Sequence, residues 1–151
     1  IVDSALRTPL DARLWQVADR RVFIATAVTD EARQQPLRAR GAQLLALPGT
    51  DGRVDLAALL ARLARREVNE LHVEAGHRLN GALLRAGLVD ELLLYLAPRL
   101  LGEGAGSAAL GPLGSLDEGP AFAWHGVERV GPDLRLLARV PGRECFDEPA
   151  R

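Results

Sequence analysis

The sequence predicts a mixed α/β fold. Three observations carry that expectation: short β-branched and apolar runs alternate with amphipathic segments of helical period, the joints between them hold aspartate caps or glycine, and the last two apolar runs flank Gly131-Pro132-Asp133. Strand, helix, strand, helix, strand spells consecutive crossovers. The expected architecture is therefore a mostly parallel sheet with flanking helices, closed by a C-terminal antiparallel hairpin. At 151 residues the chain suits one compact domain, residues 1–151, around one core.

The elements follow in order. Val22-Phe23-Ile24-Ala25-Thr26 has the composition of a buried strand, and Asp30 to Arg40 that of a short helix with Asp30 near its N-cap. Gln43 to Leu47 reads as a strand ended by the turn dipeptide Pro48-Gly49. From Asp55, a capping residue, Leu56, Leu59, Leu60 and Leu63 recur at helical spacing, and Arg62, Arg65 and Arg66 sit where the helix dipole favours cations. Glu70-Leu71-His72-Val73-Glu74 alternates like a strand, and a helix from about Arg78 to Ala86 stops at Gly87. Glu91 to Ala97 is a further strand, Leu101 to Pro120 a glycine-rich loop, and Phe122 to Val130 with Leu134 to Val140 the hairpin. As a terminal strand, Leu134 to Val140 would offer an edge for pairing.

Composition excludes several functions. Nineteen basic residues, all arginine, against twenty acidic ones leave a net charge of −1, without the basic patch that nucleic acid or an anionic membrane requires. No apolar run approaches the roughly 20 residues of a bilayer span, and no signal-peptide pattern opens the chain. Cys145 is the only cysteine, which rules out an internal disulfide or a cysteine-based zinc cluster and reads as a structural thiol in a reducing, cytoplasmic setting. There is no lysine for a Walker motif, no Gly-x-Ser-x-Gly elbow and no deaminase zinc motif. Gly102 to Ser107 imitates a dinucleotide fingerprint, but Gly111, Pro112 and Gly114 forbid the helix that must follow. With no methionine and a start at Ile1-Val2-Asp3, the chain reads as an N-terminally truncated piece of a longer protein.

One joint combines glycines with charge: Val73-Glu74-Ala75-Gly76-His77-Arg78-Leu79-Asn80-Gly81-Ala82. Ligands of open α/β sheets lie beyond the carboxyl ends of strands, where a helix start presents free N–H groups and the positive end of its dipole to a phosphate. Gly76 is then either the place of close approach or a plain turn, and Gly81 leaves room for helix packing or for a bound group. Glu74, ending its strand, is either solvated or set in a cleft, to hold an N–H-rich ring by paired hydrogen bonds or to serve in proton transfer. His72 falls on the same face as Glu74, His77 is either exposed or a phosphate donor, and His125 reads as structural.

Val73-Glu74-Ala75-Gly76, Leu79, Gly81 to Leu84, Ala86 to Leu92 and Tyr95 to Gly102 together closely resemble the reductase domain of bacterial bifunctional riboflavin-biosynthesis proteins. Val2-Asp3-Ser4 with Arg7-Thr8-Pro9, and Val130 to Leu134, extend the likeness over nearly the whole chain. The resemblance implies a dihydrofolate-reductase-like fold and NADPH-dependent reduction of 5-amino-6-(5-phosphoribosylamino)uracil to its ribitylamino counterpart. It also implies a deaminase domain fused upstream and a homo-oligomer. Carried over by position, Ser4 and residues Gly76, His77, Arg78, Leu79, Asn80, Gly81 and Ala82 match cofactor contacts, and Glu74 a substrate contact. No protein nucleophile or metal is implied, since the cofactor supplies the hard chemistry. His77-Arg78 departs from the proline or serine followed by threonine usual at this turn, and the family's domain begins some tens of residues before Ile1. The competing expectations are a non-catalytic nucleotide-binding or oligomerisation module of this fold, and a related reductase acting on another pterin or pyrimidine.

Overall fold

A computed structural model of the chain describes residues 1–104 and 106–143; Cys145, read above as a structural thiol, lies outside them. The chain divides into two compact units, Ile1–Leu71 and His72–Arg151.

In the first unit β1 (Phe23–Thr26) and β2 (Gln43–Ala46) pair in parallel through α1 (Glu31–Ala39), as the alternation predicts. Val2 bridges to Ala25 on the other side of β1, also in parallel, so β1 is the central segment. Period two then sorts the side chains. Ala25 and Leu45 pack with Val54 and with Leu59 of α2 (Leu56–Ala64), while Ile24 packs with Leu37 and Ala42 on the side of α1. A strand covered on both faces must be apolar throughout, and the run from Val22 to Ala25 meets that demand. Burying Ile24 completely is worth about 2–3 kcal/mol of transfer free energy. Both aspartate caps form as the sequence predicts: the Asp30 carboxylate accepts from Ala32 N–H and the Asp55 carboxylate from Ala58 N–H, each at 2.9 Å.

The strand expected over Glu70 to Glu74 is absent. Residues 68–76 have no regular structure, and residues 68–74 are exposed. Glu70, His72 and Glu74 alternate with only Leu71 and Val73, so the segment has one weakly apolar face, which is not enough for a strand enclosed on both sides. The alternation is present in the sequence, but the segment is in no strand of the described residues.

The second unit holds α3 (His77–Arg85) and the strands β3 (Glu91–Leu96), β4 (Ala123–Val130) and β5 (Asp133–Arg139), which form an antiparallel sheet in the order β3-β5-β4. The predicted hairpin is β4–β5. Gly131 stands at φ 60° with a proline after it, the arrangement of a type II′ turn, whose twist suits two antiparallel strands. The register slips between Trp124 and Gly126, a bulge at His125. Because β5 lies between β3 and β4, it offers no free edge, contrary to the expectation for Leu134 to Val140. The described residues carry a parallel pair and an antiparallel trio, a mixed α/β arrangement rather than the mostly parallel sheet that the missing strand would have extended.

Candidate functional site

The predicted site residues fall in both units, Ser4 in the first and Glu74 with Gly76 to Ala82 in the second. Ser4 sits in a loop built by Asp3. The Asp3 carboxylate accepts from Thr8 N–H at 2.6 Å, from the Thr8 hydroxyl at 2.7 Å and from Ala5 N–H at 3.3 Å. Leu6 inside this loop takes φ 54°, an uncommon value for a bulky residue, while its side chain packs against the core around Ile24. Ser4 Oγ accepts from Val54 N–H at 3.1 Å, and its carbonyl accepts from Ala27 N–H at 3.3 Å. The serine is thereby fastened beside the carboxyl end of β1.

Partial burial pushes the Asp3 carboxyl up, but the Thr8 hydroxyl and the backbone N–H groups of Arg7, Thr8 and Ala5 outweigh it, so Asp3 titrates below the ordinary aspartate value. The unfolded chain then binds this proton more tightly than the folded one. The stabilisation is complete above the unfolded aspartate pKa, about 3.9, and is lost as pH falls through the lower folded value. Melts from neutral to strongly acidic pH should therefore show a shallower acid decline for Asp3→Asn than for the wild type; identical acid limbs would mean that Asp3 stores no such linkage.

Ser4, Ala27, Thr29, Asp30 and Arg33 border an open concavity of about 420 Å³. Reasoning from sequence picked out Ser4 and missed the others. The available signal was Thr26-Ala27-Val28-Thr29-Asp30, a polar crossover directly after a buried strand, which is where α/β sheets place ligands. The start of α1 suits an anion poorly, because Asp30 caps it and Glu31 opens it.

The start of α3 differs in charge and in capping. Gly76 is its N-cap, no side chain caps it, no acid lies in its first turn, and His77 and Arg78 are its first two residues. Gly76 has φ −75°, which any residue adopts, and a β-carbon there would meet nothing within 4 Å. The fold does not require glycine at this position. Gly81 is the opposite case: a β-carbon would lie 2.1 Å from the Ala109 carbonyl oxygen. The backbone at residues 107–109 lies against α3, with Ala109 N–H donating to the His77 carbonyl at 2.8 Å. Asn80 spends its amide on the same contact, donating to the carbonyls of Ser107 at 2.9 Å and Ala75 at 3.2 Å, and Arg85 donates to the Ala109 carbonyl. Asn80 and Gly81 thus hold the chain on either side of the helix start. Of the two readings of Gly81, the described contacts show helix packing.

Glu74 is highly exposed, with its Oε1 3.4 Å from His72 Nε2, the shared face anticipated from their spacing. Leu79 is half-buried and Arg78 exposed. A larger concavity of about 520 Å³ lies around Arg85, Gly87, Phe122 and Arg143 and includes none of the predicted site residues. Among the described residues no helix is long and apolar enough to cross a membrane.

These features define an α/β protein with a helix start that no side chain caps, bearing His77 and Arg78 and lying two residues beyond the Glu74 carboxylate. The chain belongs to the RibD C-terminal domain family, whose model matches residues 1–136. The riboflavin biosynthesis protein RibD of Escherichia coli is 38% identical over 137 residues, which cover 90% of this chain and 36% of that protein. A 5-amino-6-(5-phosphoribosylamino)uracil reductase of Buchnera aphidicola is 33% identical over 86 residues, covering 56% of this chain and 42% of that protein. Among solved structures, RibD of Acinetobacter baumannii superposes with a TM-score of 0.75 at 26% identity, over 91% of this chain and 36% of that one. The chain thus spans about a third of the length of its full RibD relatives.

Proposed function

We propose that this chain is part of an NADPH-dependent reductase of riboflavin biosynthesis, which reduces 5-amino-6-(5-phosphoribosylamino)uracil to 5-amino-6-(5-phosphoribitylamino)uracil. In this reading it belongs to a longer cytoplasmic protein that also carries a deaminase domain. Membership in the RibD C-terminal domain family and the name of the Buchnera relative support the reaction. The observation that carries the cofactor reading is Gly76, a glycine at an uncapped helix start that neither backbone angle nor packing requires. A bare main chain there admits a phosphate to N–H groups that a side chain would screen.

NADPH, when bound, supplies the hydride that adds to the ribosyl C1 as the ring opens. The protein's own part is binding and orientation. The first N–H groups of α3 and the flanking His77 and Arg78 receive the charged bridge of the dinucleotide. Leu79, Asn80 and Ala82 continue that wall, with Gly81 letting the Ala109 backbone close on the helix behind it, and Ser4 is a further cofactor contact. Glu74 accepts hydrogen bonds from the pyrimidine; its side chain is exposed, with Oε1 beside His72 Nε2.

Titration with NADPH, followed by the fluorescence of the reduced nicotinamide, tests the cofactor reading. Saturable binding is expected; its absence favours the non-catalytic module. In the longer parent protein, Glu74→Gln should lower kcat/KM for the phosphoribosylaminouracil by on the order of 10- to 100-fold with NADPH affinity unchanged, the cost of a lost charge-assisted hydrogen bond. Equal turnover by the variant would remove Glu74 from the substrate site.

A further inference from the structure

The concavity of about 520 Å³ lies wholly within the second unit and is lined mainly by hydrocarbon: Leu84, Val89, Leu110, Phe122 and Val140, all half-buried. One wall comes from residues 110–122, a stretch pinned by its own contacts. Ala109 N–H donates to the His77 carbonyl just before it, and within it Gly114 N–H donates to the Glu118 carboxylate at 2.8 Å. Three charged side chains border the hollow, Arg85, Glu118 and Arg143. Arg143 is held in place, its Nη1 donating to Asp90 Oδ1 at 2.7 Å and to the Gly87 carbonyl at 3.3 Å. Arg85 donates to the Ala109 carbonyl and meets no carboxylate among the described residues.

We propose that this concavity binds a small organic carboxylate, a monoanion with a ring-sized apolar body. The proposal is independent of the reductase reading. Gly76 and Arg85 stand at opposite ends of α3, about 14 Å apart along its axis at ~1.5 Å per residue, so this is a second site and no extension of the first. Its volume falls within the range of about 300–1,000 Å³ usual for small-molecule sites, which are mostly apolar with a few polar groups that fix orientation.

The polar groups select the sign of the ligand. Both nearby carboxylates already accept hydrogen bonds, Asp90 from Arg143 and Glu118 from the Gly114 N–H. Arg85 is therefore the cation left for a ligand, and part of a guanidinium fork stays unused once one N–H has gone to the Ala109 carbonyl. A planar fork matches a carboxylate through two parallel hydrogen bonds. The lining decides the rest. A multiply charged phosphate loses more hydration than a carboxylate on entering hydrocarbon, whereas a monoanion with an apolar body uses both the charge and the lining.

Calorimetric titration of the chain with 1-naphthoate decides the matter, with 1-naphthalenemethanol as the uncharged probe of the same body. Naphthoate should bind once per chain with a Kd of about 1 mM or tighter, and about tenfold tighter than the alcohol. Arg85→Gln keeps a donor for the Ala109 carbonyl and removes the charge, so it should abolish the preference for naphthoate over the alcohol. Ala121→Trp, at an exposed residue of the lining, should block both probes, while Arg99→Gln, an exposed arginine elsewhere, should change neither. Circular dichroism and a thermal melt check that each variant folds; the comparison of the two probes on the wild type needs no variant. A Kd weaker than about 1 mM, equal affinity for the two probes, or full binding by folded Ala121→Trp would each overturn the proposal. NADPH titration of the same samples reports separately on the reductase reading.

Discussion

Alanine at position 81 is expected to destabilise the second unit by about 3 kcal/mol, at the upper end of what overpacking usually costs. The new β-carbon would lie 2.1 Å from the Ala109 carbonyl oxygen, 2.5 Å from its carbon and 2.7 Å from the Ala109 nitrogen. All three are backbone atoms, so no rotamer change relieves the clash. Either α3 or the backbone at residues 107–109 must withdraw, and withdrawal breaks the hydrogen bond from Ala109 N–H to His77 together with the Asn80 contact to Ser107. Two readouts check this: the denaturant midpoint of the unit, and amide exchange at Ala109, which should lose its protection in Gly81→Ala. Unchanged protection would show that the backbone at residues 107–109 does not depend on close contact with α3. Because Asn80 also holds the Ala75 carbonyl, the disturbance should reach the start of α3 and weaken NADPH binding as a secondary effect.

Gly76→Val is expected to do the reverse. The backbone at Gly76 is ordinary and the space around it open, so melting temperature should change by no more than a degree or two. NADPH affinity should fall at least thirtyfold, because a branched side chain would stand over the N–H groups that the proposed reading assigns to the phosphates. Calorimetric or fluorescence titration beside a thermal melt separates the two quantities. Full affinity in Gly76→Val would withdraw the assignment of the phosphates to this helix start. The two glycines lie five positions apart and look alike as letters, yet one serves packing and the other is left free by the fold.

Much of the local structure was legible because its causes are local. Asp30 and Asp55 cap α1 and α2 through their own carboxylates, and Gly131-Pro132 permits a tight turn between two strands whatever surrounds it. The segment proposed as the site stands out for a similar reason, since glycine, charge and a helix start within a few residues form a chemical pattern before any folding. The strand expected at Glu70 to Glu74 failed because pairing is not local: alternation says which way side chains point, while a strand also needs neighbours that share its burial. The crossover bordered by Thr29, Asp30 and Arg33 was passed over because its significance comes from lying beside Ser4, which is distant in sequence.

By itself, the sequence determined the helices, their caps, the closing hairpin, the family and the carboxylate-glycine segment, all of which depend on interactions spanning a few residues or on motif identity. Only the tertiary structure decided that Gly81 answers to Ala109, that β5 lies inside its sheet, and that Arg85 and Arg143 border one concavity. Those outcomes depend on which distant backbones come within a few ångströms of each other, and hydrophobic pattern, being short-ranged, does not specify that.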